Sequence, residues 1–289
     1  MKNPPFEYHR PDTLQDAVQL LAVYGDEAKV LAGGQSLLPL MGLRLARPSH
    51  VIDIGRVADL GTIAADGDGV SIGALVTHSM AEHSDELRAN APLVHQAMPY
   101  IGHRAIRNRG TVCGSVAHAD PAAEMPAVCQ AGDASMVAVS SRGERIIAAD
   151  EFFVGYLQTA LDVDEILTEI RLPAHREGTG TAVVELSRRH GDYALVGLAC
   201  SLTVDTTITS ASLSFFGAGS TPIRLNDVEQ QLLGQEPSAA TFSSAANAVR
   251  SSIEPSADVH GSANYRRHLA GVLTSQGLEQ AASNIGALT

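Results

Sequence analysis

Two short glycine-bearing stretches, Ala32-Gly33-Gly34-Gln35-Ser36 and Gly110-Thr111-Val112-Cys113-Gly114-Ser115, each separate an apolar run from a polar or small-residue segment. Glycine has no Cβ, takes positive φ cheaply and lets successive backbone N–H groups converge on one anion. A helix that follows adds its positive end. Either stretch alone reads as an ordinary strand-to-helix turn. As a pair, in a chain without the dinucleotide fingerprint GxGxxG, they predict two backbone loops that grip one pyrophosphate.

Composition narrows what such loops can serve. The 289 residues are 45% apolar with a mean hydropathy of +0.04, which suits a globular chain of two domains with a sizeable core. A net charge of −12 without a basic run argues against nucleic acid or an anionic membrane as partner, since phosphate backbones need clustered Lys and Arg. Neither a signal-type apolar segment nor a run of about 20 apolar residues appears, so a cytoplasmic protein without a membrane span is expected. Cys113, Cys129 and Cys200 show no CxxC, which gives no disulfide framework or zinc site and too few thiolates for an iron–sulfur cluster. Among the 11 histidines no His-x-x-x-His pair with a nearby third ligand is found, and no metal site is expected. There is no GxSxG elbow for a hydrolase, and Gly217-Ala218-Gly219 reads as a plain turn.

Periodicity sets out the elements. Thr13 caps a helix with Leu14, Ala17, Val18, Leu21 and Ala22 on one face, ended by Gly25. Ala28 to Leu31 and Val51 to Ile54 read as strands, and Ser36 is placed as the cap of a helix from Leu37 to Arg44, making the first 55 residues a βαβ-like unit. Leu60 to Ala64 with Val70 to Ala74, and Met136 to Val139 with Arg145 to Ala148, read as hairpins; Glu165 to Leu172 is a further strand. Thr77 to Tyr100 is helical, with a new start at Pro92, and His175 to Thr181 is the best linker. Beyond it come three antiparallel strands, Ala182 to Leu186, Val196 to Val204 and Ser210 to Phe216. Helices near Asn226 to Leu233, Ala239 to Ser252 and Ser262 to Gln276 complete an α+β pattern.

Five ordered blocks carry a closer resemblance: Phe6-Glu7-Tyr8 with Pro11; Ala32 to Pro39; Ile106-Arg107-Asn108-Arg109-Gly110-Thr111-Val112; Asp120-Pro121-Ala122-Ala123-Glu124; and Arg188-Arg189-His190-Gly191-Asp192-Tyr193-Ala194. Over essentially its whole length the chain resembles the FAD-binding medium subunit of the molybdenum hydroxylases, typified by bacterial carbon monoxide dehydrogenase and the flavin domain of xanthine oxidase. The resemblance implies an α+β fold: an FAD-binding domain over 1–175, with subdomains of about 1–56 and 57–175, then a smaller domain over 176–289 with a three-stranded antiparallel sheet and helices.

It also implies a site. Ala32, Gly33, Gly34, Gln35, Ser36 and Leu37, with Thr111, Val112, Cys113, Gly114 and Ser115, would hold the FAD pyrophosphate, chiefly through backbone N–H groups. Ile101 and Gly102 would lie near the flavin or its ribityl chain, Asp120 and Glu124 would hold ribose or adenine edges, and Ile166 would touch the ring end. Arg188, Asp192 and Tyr193 would close over the ring from the second domain. The family usually has two adjacent glycines where this chain has Cys113-Gly114, so position 113 must take an ordinary backbone conformation or carry strain. No residue is assigned to substrate catalysis. The resemblance implies an electron-transfer subunit that takes electrons from a small two-cluster iron–sulfur subunit, works beside a large molybdopterin-binding subunit in a dimer of heterotrimers, and passes electrons to an external acceptor. A stand-alone flavin oxidase or reductase and a cofactor-free interaction module are the alternatives.

Overall fold

Among residues 2–285, the part of the chain described in the computed structural model, the strands form four sheets. Strands β1 (Glu7–His9), β2 (Ala28–Leu31) and β3 (His50–Asp53) make a parallel sheet with β3 in the middle. Helix α1 (Leu14–Tyr24) crosses between β1 and β2. The Thr13 hydroxyl caps it by accepting the Asp16 N–H at 3.1 Å, and Ala17, Val18 and Leu21 are buried beneath it. Helix α2 (Leu37–Gly42) follows the first glycine loop and is shorter than the sequence suggests. Ser36 does not cap it: its φ of −104° and ψ of −51° are already helical and its carbonyl accepts Leu40 N–H, so the turn starts before Ser36 and its hydroxyl makes no capping bond.

A second, antiparallel sheet joins β4 (Ile63–Ala65), β5 (Gly69–Gly73), β6 (Ser135–Ser140), β7 (Gly143–Ala148) and β10 (Ile166–Pro173) in the order β4-β5-β10-β6-β7. Between β5 and β6 lie the short helices α3 (His78–Glu82), α4 (Asp85–Asn90), α5 (Pro92–Ala97), α6 (Arg104–Arg107), α7 (Val112–His118) and α8 (Glu124–Ala131). Nearly every residue of α8 is buried, because the helix is covered on all sides, with α5 and α7 as neighbours and the last large sheet against it. After β7, helix α9 (Ala149–Phe152) leads into a small hairpin of β8 (Phe153–Gly155) and β9 (Gln158–Thr159).

The last sheet runs β11 (Thr179–Ser187), β12 (Ala194–Val204), β13 (Ile208–Phe216) and β14 (Ile223–Arg224) in sequence order. Three strands were expected; the fourth is a two-residue pairing of Ile223 and Arg224 with Phe215 and Ser214, too short to leave a periodic signal. Helices α10 (Asn226–Leu232), α11 (Ala239–Ser252) and α12 (Ala263–Ser283) follow. Helix α12 runs beyond the expected end at Gln276; the glycine at 277 marks its close packing on β12, where a Cβ would meet Cys200 Sγ and Leu198 at 3.1 Å. Strand β12 is buried on both faces. Val196, Leu198, Cys200 and Leu202 belong to the core under α11 and α12, whereas Ala194 and Ala199 belong to the core that also contains α1, α5 and α8.

Polar contacts lock the last sheet onto α8. Gln130 accepts Ser214 Oγ at 2.7 Å through its side chain and Arg224 at 3.0 Å through its carbonyl; Arg224 also pairs with Asp133 and, at 3.0 Å, with Glu229. At Gly197 on β12, a Cβ would lie 2.0 Å from the ring of Phe216 on β13. Gly197→Ala is therefore expected to destabilise the chain by about 1–3 kcal/mol in urea unfolding, the usual cost of overpacking. Gly67→Ala, with nothing within 4 Å of its new Cβ, should not. Equal midpoints for the two variants would contradict this packing.

Candidate functional site

The two glycine loops meet. A Cβ on Gly33 would lie 2.0 Å from the carbonyl oxygen of Arg109 and 2.8 Å from Gly110 Cα, so the backbones touch where no side chain fits. Gly34 has a φ of 73° and turns the chain into α2. The second loop is pinned from below by α3: His78 N–H donates to Gly110 O at 2.9 Å and Val112 N–H to Val76 O at 3.0 Å, around a bridge between Thr77 and Thr111. Arg107 fixes its approach. Its guanidinium forms a two-pronged pair with Glu82 at 2.8 and 3.2 Å and donates to the carbonyls of Ile101 and Gly102 at 3.3 and 3.1 Å. Arg107 is thus a positioning residue for both the 101–102 turn and the loop after it.

Between the loops opens a cleft of about 760 Å³, within the range of cofactor sites. Its walls include main-chain donors with nothing to bind. Among the described residues, the N–H groups of Gly33, Gly34, Gln35, Ser36, Thr111 and Cys113 have no hydrogen-bond partner. Backbone donors are seldom left unpaired inside a protein, and a group of them at two loops suits an anion with several oxygens. Thr111 caps α7 through Gly114 N–H at 3.1 Å, which aims the positive end of that helix at the same cleft. Cys113 occupies an ordinary helical position, its side chain buried with the thiol directed to Ile72 O at 3.4 Å. The second glycine of the usual motif is dispensable here because position 113 needs no positive φ.

His78 also lines the cleft. It is buried, neither ring nitrogen has a partner among the described residues, and burial together with the charge of Arg107 lowers its pKa to about 4. A neutral imidazole with two unused polar atoms fits the polar part of a cofactor.

One corner of the cleft is acidic. Tyr193 lies at the rim of the cleft, mostly exposed, beside Asp120; partial burial and then the neighbouring carboxylate raise its phenol to about 12. Burial raises Glu124, at the start of α8, to about 8, with the nearby Glu185 and Asp120 charges adding to the rise. Glu185 on β11 is raised by burial to about 7, and its Oε2 has no partner among the described residues. Both glutamates are thus largely or partly protonated at neutral pH.

The structure brings together most of the residues named from the sequence. Ala32 to Leu37, Ile101, Gly102, Thr111, Cys113, Gly114, Ser115, Asp120, Glu124, Ile166, Asp192 and Tyr193 all line this one cleft. Val112 and Arg188 do not. Val112 is buried behind the loop, and Arg188 is exposed and turned away to His260 O at 3.4 Å. Asp120, Glu124 and Tyr193 are close neighbours at one corner of the cleft. The sequence reading missed His78 and the Leu157 and Gln158 turn of the small hairpin, which also face the cleft.

Because Glu124 is charged in the unfolded chain above its ordinary value of 4.5 but holds its proton in the fold up to about 8, it costs increasing stability as pH rises through that window. Glu124→Gln should therefore gain stability relative to the parent between about pH 5 and pH 8 and hold a constant advantage above it. A difference in unfolding free energy that does not change with pH would contradict the assignment.

Comparison with known proteins agrees with this geometry. Residues 4–175 match the FAD binding domain in molybdopterin dehydrogenase, and residues 181–281 match the CO dehydrogenase flavoprotein C-terminal domain. The chain is 40% identical over 283 residues to the 6-hydroxypseudooxynicotine dehydrogenase complex subunit alpha of Paenarthrobacter nicotinovorans, covering 97% of this chain and 96% of the relative. It is 37% identical over 279 residues to the carbon monoxide dehydrogenase medium chain of Hydrogenophaga pseudoflava, covering 96% and 97%. Its fold superimposes on a solved carbon monoxide dehydrogenase chain from the latter organism with a TM-score of 0.96 at 37% identity, covering 99% of this chain and 100% of the other. The chain therefore belongs to the FAD-binding subunits of the molybdenum hydroxylases, oxidoreductases of which it is a flavoprotein component.

Proposed function

We propose that this chain carries electrons within a molybdenum hydroxylase: it receives them from a small two-cluster iron–sulfur subunit and delivers them to an external acceptor, beside a large molybdopterin-binding subunit that holds the substrate. The observation that carries this reading is the contact of Gly33 with Arg109 and Gly110, which sets two groups of unpaired amides around one cleft. Bound FAD supplies the exchange between one-electron and two-electron carriers.

The chain's own residues bind and orient. The amides of 33–36, 111 and 113 hold the diphosphate, and His78 donates to a polar oxygen next to it. Glu124, protonated at neutral pH, offers a hydrogen-bond donor in the corner shared with Asp120. Tyr193 shields the ring from water, and Ile166 and Ile101 give it an apolar bed. None of these groups is needed as an acid or base for a substrate. Relatives named for different substrates share the fold, which supports placing substrate choice in the large partner. The three cysteines are buried and unpaired, which suits a reducing compartment, and we place the assembly in the cytoplasm as a dimer of heterotrimers. No described helix is long and apolar enough to cross a membrane.

Purified chain should show flavin absorption after reconstitution with FAD and should copurify with two further subunits from its source. Gly33→Ala, whose Cβ meets Arg109 O at 2.0 Å, should weaken FAD binding up to about 100-fold, since overpacking costs about 1–3 kcal/mol and each 1.4 kcal/mol is tenfold. His78→Leu should fold at least as well as the parent yet bind FAD more weakly, because it removes polar atoms that only the cofactor satisfies. Parental FAD affinity in both variants would overturn the two-loop site.

A further inference from the structure

Away from the cleft, two histidines and a glutamate meet at the start of the parallel sheet. We propose that Glu7, His9 and His50 form a site for one first-row divalent cation of the zinc class, held by two imidazoles and a carboxylate with water completing the coordination. None of the three lines the cofactor cleft, so the proposal is independent of the flavin reading.

The sheet places the ligands. Glu7 and His9 are two residues apart on β1 and so share a face, while the parallel register sets His50 of β3 opposite Glu7. His9 Nε2 lies 3.0 Å from His50 Nδ1, and His50 Nδ1 lies 3.6 Å from Glu7 Oε2; the three ligand atoms fall within 4.8 Å of one another. Zinc bonds of about 2.0–2.1 Å in tetrahedral geometry need ligand atoms about 3.3 Å apart, between the first two values. Side-chain rotations alone can bring the three atoms to that spacing, since all lie within 4.8 Å of one another.

The surroundings hold the imidazoles in place and leave one side open. Tyr24, at the end of α1, stacks on His50 with ring centroids 3.7 Å apart and an interplanar angle of 13°, and its ring lies 5.1 Å from that of His9. The His50 side chain is 13% exposed and that of Glu7 is 73% exposed, so the ligand set spans from protein to solvent, with room for water on the ion. The other face is served by Tyr8, which donates to Asp53, and by Arg10 just past β1, which pairs with Asp53 at 3.6 Å. The contact between His9 and His50 at 3.0 Å needs one proton shared between two ring nitrogens. The cation would take that proton's place, with the donor ring carrying its proton on its other nitrogen, so both imidazoles act as neutral ligands. Imidazole and carboxylate together suit zinc, copper and nickel better than magnesium or calcium.

The test uses the full chain with its FAD. Zinc titrated in competition with a chromogenic chelator should show one tight equivalent, absent from His50→Gln and from His9→Gln and weakened in Glu7→Gln, with FAD content equal in all four proteins. Copper(II) bound to the parent should show electron paramagnetic resonance splitting from two imidazole nitrogens, which checks the ligands without any variant. An absent zinc equivalent, a zinc equivalent retained in both histidine variants, or a copper spectrum without two nitrogens would overturn the site.

Discussion

The candidate site depends on one close approach, the backbone of Gly33 lying against the carbonyl of Arg109. Two loops separated by more than seventy residues can present amides to the same anion only if no side chain stands between them. Every other feature supports that contact. The parallel sheet delivers the first loop from the end of β2, and the bridge between Thr77 and Thr111 fixes the second. Arg107, paired with Glu82, ties the second loop to the turn at Ile101 and Gly102. The unpaired amides are then a consequence of geometry, since neither loop has a strand or helix partner for them.

Electrostatics divide the cleft into two unlike ends. Near the loops, backbone donors and the start of α7 favour negative charge. Around Glu124, burial keeps Glu124 and its neighbour Glu185 from ionising fully beside Asp120, so carboxyl groups accumulate there without a matching array of cations. A carboxyl that holds its proton at neutral pH is a hydrogen-bond donor, and this corner therefore offers directional contacts rather than net charge. The connection between β11 and β12 supplies Tyr193 to the corner and β11 sets Glu185 near Glu124, and the polar contacts of Gln130 and Arg224 with the last sheet keep it against α8.

Much of this was legible in the sequence, for reasons that differ by element. Helix α1 and strand β2 are clear because capping, periodicity and a breaker agree locally at Thr13, Leu14 to Ala22 and Gly25. The glycine loops are clear because their chemistry is in the main chain, which glycine reports directly. Residues whose role depends on distant neighbours are harder to read. Strand β14 exists only through pairing with Phe215 and Ser214, and Ser36 is overruled as a cap by the turn that Gly34 initiates. Arg188 sits in a block that matches the family, yet it lies just past the end of β11 and donates to His260 O instead of lining the cleft. His78 becomes visible only when its burial and missing partners are known. The Glu7, His9 and His50 group spans 43 positions and is assembled by strand register alone, which spacing along the chain does not encode.

Both loops converge on one diphosphate, and the most direct measurement of that convergence is the electron density of the chain crystallised with FAD. Convergence predicts diphosphate oxygens bonded to amides from 33–36 and from 111–113 at once, with His78 donating beside them. A diphosphate held by one loop alone, or lying outside the space between Gly33 and Gly110, would contradict it.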